Sequence, residues 1–205
     1  MYDTRMGGIA VLIPAAGFGT RMRGADKLLQ LVDRVPLLRR QAQCALAVAD
    51  HVTVTLPDHD HPRRAAIEGL PVQIVAVPDA DLGMSASLRR GVAYLPRDID
   101  AVMILPADMP DICEQDLRLL IKGFRACPHP TLQQGTTEDG TPGHPVLFPR
   151  DCFNAIAQLT GDQGARDVLR ANRHRVRFVA LPGKHALTDL DTPEAWDAWR
   201  ALNPA

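Results

Sequence analysis

Three groups of residues in this sequence have the types and spacing for phosphate chemistry. The first is a pair of cations, Arg21 and Lys27, six residues apart and preceded by Gly17 and Gly19. Glycines let backbone N–H groups approach an anion closely, and successive N–H groups in such a loop form a concave anion site. Arginine adds forked phosphate contacts and lysine a point charge. The second is Asp108, within Leu105-Pro106-Ala107-Asp108-Met109-Pro110. It is a magnesium ligand or the cap of a turn; magnesium takes one or two carboxylates together with substrate phosphates. The third is a polar set further on. His144, locked between Gly143 and Pro145, is a structural histidine or a substrate contact. Asp162 and Gly164, near a helix start, could be cap chemistry alone; Arg166, on the first turn of that helix, could hold a second phosphate. Asp189 and Asp191 alternate on an extended segment, so only one of them can point at a given metal.

Known phosphate loops discriminate among readings of the first group. The Walker pattern needs Gly-Lys-Ser/Thr after four intervening residues, and this loop lacks it. The dinucleotide pattern needs a third glycine where Arg21 and Met22 stand. An ordinary strand-to-helix turn with surface charges stays open as the plain alternative. Asp58-His59-Asp60-His61 invites a metal reading, but alternate side chains of an extended run point apart. A solvated loop capping the next helix is the expectation there.

The elements that must position these residues alternate between strand and helix patterns, as in an α/β domain. Strands are expected at residues 9–13, 51–56, 72–77, 101–105, 131–134, from about 144 to 148, and 176–181. The first is almost wholly apolar, as expected of a parallel strand buried on both faces. Helices are expected at residues 37–48, 63–68, 85–94, 114–124, 152–159, 166–171 and from Thr192 to about Leu202. Asp111 and Glu114 are expected to cap the helix at 114. Asp81-Leu82-Gly83-Met84-Ser85-Ala86-Ser87 is a strand-to-helix junction, and reads equally as a capped helix or as a nucleotide wall. Asp108 follows the fourth strand, at the sheet edge where ligands bind in open α/β folds. Trp196 and Trp199, three apart, are expected to pack.

Composition narrows the function classes. The 205 residues suit one domain, and 46% are hydrophobic, enough for a sizeable core. A formal net charge of -1 gives no electrostatic case for a nucleic-acid partner. The apolar runs are too short to span a bilayer, and residues 1–8 lack a signal-peptide core and read as a disordered lead-in to a domain at 9–203. Cys44, Cys113, Cys127 and Cys152 form no Cys-x-x-Cys pair, which fits reduced thiols in a cytoplasmic protein.

Taken together, the motifs resemble a known family. Pro14-Ala15-Ala16-Gly17…Arg21-Met22…Lys27 is similar to the signature loop of nucleotidyltransferases. With Gly83 to Leu88, Asp108-Met109-Pro110, Gly143 to Phe148, Gly161 to Arg166 and Asp189 to Glu194, the chain resembles the molybdenum cofactor cytidylyltransferases. That resemblance implies a three-layer, doubly wound, mostly parallel sheet, Rossmann-like and of the nucleotide-diphospho-sugar transferase type. It implies transfer of CMP from CTP to the phosphate of a molybdopterin-type cofactor, with magnesium (or manganese) present. Ala15, Ala16, Gly17, Gly19, Gly83, Ser85 and Ser87 would bind the nucleotide. Arg21 and Lys27 would hold the triphosphate, and Asp108 with Asp189 or Asp191 the metal. His144, Asp162, Gly164 and Arg166 would face the acceptor. The partners so implied are small molecules, with a molybdoenzyme or its maturation chaperone receiving the product. Ala15-Ala16 matches the cytidylyl version of the loop, whereas guanylyl relatives carry Ala-Gly-Gly. Gly19-Thr20 is more like sugar nucleotidyltransferases, so guanylyl and sugar-phosphate transfer stay open as alternatives. Further off are a non-catalytic cofactor carrier and a dinucleotide-dependent oxidoreductase.

Overall fold

The computed structural model describes residues 7–17, 20–162 and 164–204. Gly19 and most of the expected lead-in therefore lie outside the described residues. The first strand, β1 (Gly8–Pro14), begins within the last residue of that lead-in. A short hairpin, β2 (Leu31–Val32) with β3 (Val35–Pro36), then leads into α1 (Leu37–Leu46). The hairpin is too short to leave a periodic trace in the sequence. There follow β4 (His51–Leu56), α2 (Arg63–Ala66), β5 (Gln73–Ala76), α3 (Met84–Ala93) and β6 (Ile99–Ile104). The second half contains α4 (Glu114–Arg125), β7 (Leu132–Thr136), β8 (Pro142–Pro149), α5 (Phe153–Ala157), α6 (Arg166–Ala171), β9 (Val176–Ala180) and α7 (Pro193–Leu202).

Seven strands make one sheet in the order β5-β4-β1-β6-β8-β7-β9. All neighbouring pairs are parallel except the two that β8 makes, with β6 and with β7. The alternation of the strands explains the three layers. Ile9, Val11 and Ile13 of β1 join Met103 of β6, Leu38 of α1 and Leu117 of α4 on one face. Ala10 and Leu12 join Val102, Leu88 of α3 and Ile156 of α5 on the other. A strand with a helix layer on each face must be apolar at every position, which is why β1 shows no alternation in sequence. No helix among the described residues is long and apolar enough to cross a membrane.

Local chemistry departs from expectation at two helix starts. Cys113, not Asp111 or Glu114, is the N-cap of α4, with Asp116 closing the capping box; Asp111 instead accepts a hydrogen bond from Trp199 Nε1 at 2.8 Å. Asp162 does not cap its own following helix. Its Oδ1 accepts from Met84 N (3.2 Å) and so caps α3, far away in sequence. Trp196 and Trp199 do pack, edge to face, with ring centroids 6.2 Å apart. Asp58 folds back on its own turn, accepting from Asp60 N at 2.9 Å, and His61 Nδ1 accepts from Arg63 N at 3.3 Å. The run is a solvated loop, as expected, but the N-cap of α2 is Pro62, with no side-chain cap hydrogen bond among the described residues.

Candidate active site

The carboxyl ends of β1 and β6 open onto a cleft of about 350 Å³. Ala15 N donates to Thr55 O (3.1 Å), and Leu105 N to Leu12 O (3.0 Å), so the segments leaving these strands start in register. Ala15 and Gly17 line the cleft from the first loop, Lys27 from the turn after it, and Asp108 from the turn after β6. Gly83, Met84 and Ser87 form the wall at the start of α3, with Asp162 against them.

Four of the expected residues form one charged network. Lys27 Nζ donates to Asp108 Oδ2 (2.5 Å) and to Asp191 Oδ1, and Arg21 Nη1 pairs with Asp191 Oδ2 (2.6 Å). Lys27 sits on a 3-10 turn, Lys27–Leu29, whose N-cap Asp26 accepts from Leu28 N at 3.0 Å. Burial alone would lower the Lys27 pKa, but Asp108 and Asp191 outweigh it and hold the ammonium above its ordinary range. Lys27 is therefore a fixed cation at neutral pH. The pairing also answers which of the alternating aspartates turns inward. Asp191 is the one paired with Lys27 and Arg21; Asp189 is exposed. Two carboxylates converging on one ammonium are a donor set that fits a hard divalent cation as well.

The remaining wall is held from behind. The segment carrying Asp191 is tied to the turn after β6 by Leu190 N donating to Asp108 O (3.0 Å). It is tied to the sheet by His144 N donating to Ala186 O (2.9 Å). A Cβ at Gly143 would stand 2.0 Å from that same carbonyl, so only glycine permits the approach. His185, on this segment, shares a 2.8 Å hydrogen bond with the buried Asp116 of α4. Gln41, fully buried on α1, donates to Met109 O (2.8 Å) and steadies the turn carrying Asp108. His144 is solvent-exposed in the outer half of β8 and is not among the residues that line the cleft. Loss of surrounding water there holds its imidazole below the ordinary range; Asp108 pushes back, Arg166 adds to the depression and Asp189 opposes it. His144 thus shares the field of Asp108, Asp189 and Arg166 and is neutral at pH 7.

Some expected residues lie elsewhere. Ala16 does not line the cleft; it is buried with Val77, Ala80 and Ala86. Ser85 is fully buried and its Oγ has no hydrogen-bond partner among the described residues. Asp162 and Gly164 pack against the α3 start, the first touching Gly83 and Met84, the second in reach of Met84 Sδ. Arg166 is exposed at the start of α6. Gln41, Asp26 and Arg63 bear on the site although nothing in their local sequence marks them; only the pairing of buried polar groups across distant elements reveals them.

Residues 11–176 match the family described as the MobA-like NTP transferase domain. A probable molybdenum cofactor guanylyltransferase of Natronomonas pharaonis is 33% identical over 92% of this chain and 95% of its own length. The crystal structure of Rv0371c from Mycobacterium tuberculosis H37Rv superposes with a TM-score of 0.80 at 28% identity, covering 98% of this chain and all of that one. The same protein's manganese complex superposes with a TM-score of 0.77 at 26% identity, over 97% of this chain and all of that one.

Proposed function

Because this chain belongs to the MobA-like NTP transferase domain family, we propose that it transfers a nucleoside monophosphate to the terminal phosphate of a molybdopterin-type cofactor, with CTP as the donor. The observation that carries the reaction class is the convergence of Lys27, Asp108 and Asp191 at the mouth of a cleft walled by the β1 loop and the α3 start. The relative named as acting on the molybdenum cofactor supports the acceptor.

The acceptor's phosphate oxygen attacks the α-phosphorus in line; the new P–O bond forms as the bond to the β-phosphate oxygen breaks, and pyrophosphate leaves with the electron pair. A phosphate with a second pKa of about 6 is already ionised at neutral pH, so no side chain has to take a proton. That fits a site whose central amine is held protonated. Lys27 and Arg21 hold the triphosphate and stabilise the charge that shifts toward pyrophosphate. A divalent cation on Asp108 and Asp191 would supply further charge neutralisation when bound. His144 and Arg166 face the acceptor, His144 as a neutral donor and Arg166 as a cation for its phosphate. Asp162 and Gly164 support the wall that the nucleotide and acceptor share.

CTP is preferred because Ala15-Ala16 resembles the cytidylyl version of the loop, where guanylyl relatives carry Ala-Gly-Gly. Ala16 stands behind the cleft, packed with Ala80 and Ala86, and would act on the base only through the Gly83–Ser87 wall. GTP is the second reading, supported by the guanylyltransferase name of the relative. Pyrophosphate release measured with each triphosphate on wild type and Ala16→Gly tests the point. Release with CTP in wild type, moving toward GTP in the variant, is expected; a wild type specific for GTP overturns the CTP reading.

A further inference from the structure

Arg63 opens the four-residue helix α2 and is 3% exposed, yet it reaches the phosphate loop. Its Nη1 donates to the carbonyls of Ala15 (2.6 Å) and Gly17 (2.8 Å). Its Nε donates to Asp26 Oδ2 at 2.6 Å. The other oxygen of Asp26 accepts from Leu28 N, at the turn that carries Lys27. One buried guanidinium therefore touches the chain before the loop and after it. Resting on the nucleotidyl-transfer reading, we propose that Arg63 is a positioning residue for that reaction, clamping both ends of the phosphate loop and, through Asp26, aiming Lys27 at Asp108 and Asp191.

The peptide geometry gives the clamp its effect. In a trans peptide the carbonyl and the next N–H point in opposite directions. Drawing the Ala15 carbonyl toward Arg63 turns the Ala16 N–H away from the guanidinium. Two carbonyl dipoles are thereby withdrawn from the path of an anion, which they would repel. On the far side, Asp26 divides its two oxygens between Arg63 and the Lys27 turn, so the same cation fixes the start of that turn. Lys27 then has a short, defined reach to both carboxylates. A planar fork with five donors can serve three acceptors in these directions; an ammonium cannot. A merely structural ion pair would act on folding alone.

The test compares wild type with Arg63→Lys, Asp26→Asn and the double variant. Calorimetry measures binding of CTP and GTP with magnesium, steady-state assays give KM and kcat, and thermal melts report stability. The clamp predicts that folded Arg63→Lys binds the wild type's preferred triphosphate at least about tenfold more weakly, roughly 1.4 kcal/mol. Asp26→Asn, which severs only the link to the Lys27 turn, lowers kcat more than it raises KM. The double variant is no worse than the more damaged single one, because both changes break one relay. Folded variants with wild-type binding and kcat, losses confined to the melting temperature, or simply multiplied losses overturn the clamp. If Arg63→Lys does not fold, unchanged kcat in folded Asp26→Asn overturns it alone. A wild type that binds neither triphosphate defeats the nucleotidyl-transfer reading and the clamp with it; a wild type that binds while the variants bind equally well defeats the clamp only.

Discussion

In the proposed reaction Lys27 is the residue on which the chemistry turns. It stands between two carboxylates that would otherwise face each other, and both hold it protonated. Lys27→Ala is expected to lower kcat at least tenfold, about 1.4 kcal/mol in the barrier, and unchanged kinetics would remove it from the mechanism. A group whose pKa is raised keeps its charged, paired form up to and beyond its ordinary value. The pH profile of kcat/KM should therefore rise through about pH 6, with the acceptor phosphate, and stay flat to about pH 9. A further limb in that plateau would mean that a side chain is acting as a base. At Cys152, burial and the neighbouring Asp151 push the thiol up to about 11 against the pull of Arg175. Alkylation at pH 8 followed by mass spectrometry should modify Cys152 only after unfolding; rapid labelling of the native protein would contradict its burial. Arg21, Lys27 and Asp108 could be picked out because the chemistry shows in residue type and spacing. The choice between Asp189 and Asp191 could not, since alternation alone does not say which face is turned inward.

At the scale of elements, the wall of the cleft depends on close approach between segments far apart in sequence. Gly83 has a φ of 94° and ends the 3-10 turn Ala80–Leu82, and a Cβ there would stand 2.2 Å from Asp162 Oδ1. Gly83→Ala must both strain the backbone and push Gly161 and Asp162 off the α3 start. It should cost about 1–3 kcal/mol of stability and raise KM for the nucleotide more than it lowers kcat. Measured by denaturant unfolding and steady-state kinetics, wild-type values in both would show the wall to be more pliable than this packing allows. The strand-to-helix junction at Gly83 was visible in the sequence as cap chemistry, but its cap was not: Asp162 serves α3 from another part of the chain. The hairpin of β2 and β3, two residues a side, left no pattern to read.

For the whole molecule, the order β5-β4-β1-β6 places the first loop and the Asp108 turn on adjacent strands, at one edge of the sheet. The apolar strands made this half readable, because burial on both faces is written into composition. The far half was less so. β8 was expected as a short apolar strand with His144 at its start; it begins at Pro142 and runs antiparallel between β6 and β7, carrying His144 to the rim beside Ala186. Turn residues and prolines hide a strand whose inner half alone is buried. In the proposed transfer the triphosphate would lie on one side of Asp108, with His144 and Arg166 on the other. The central claim is that these sides work together on a molybdopterin-type phosphate. The most direct measurement is pyrophosphate release with magnesium and that acceptor, offering CTP, GTP, ATP and UTP separately, with glucose-1-phosphate as the control acceptor. The account predicts acceptor-dependent release with CTP and none with the sugar phosphate; release with the sugar phosphate alone, or with no triphosphate, would contradict it.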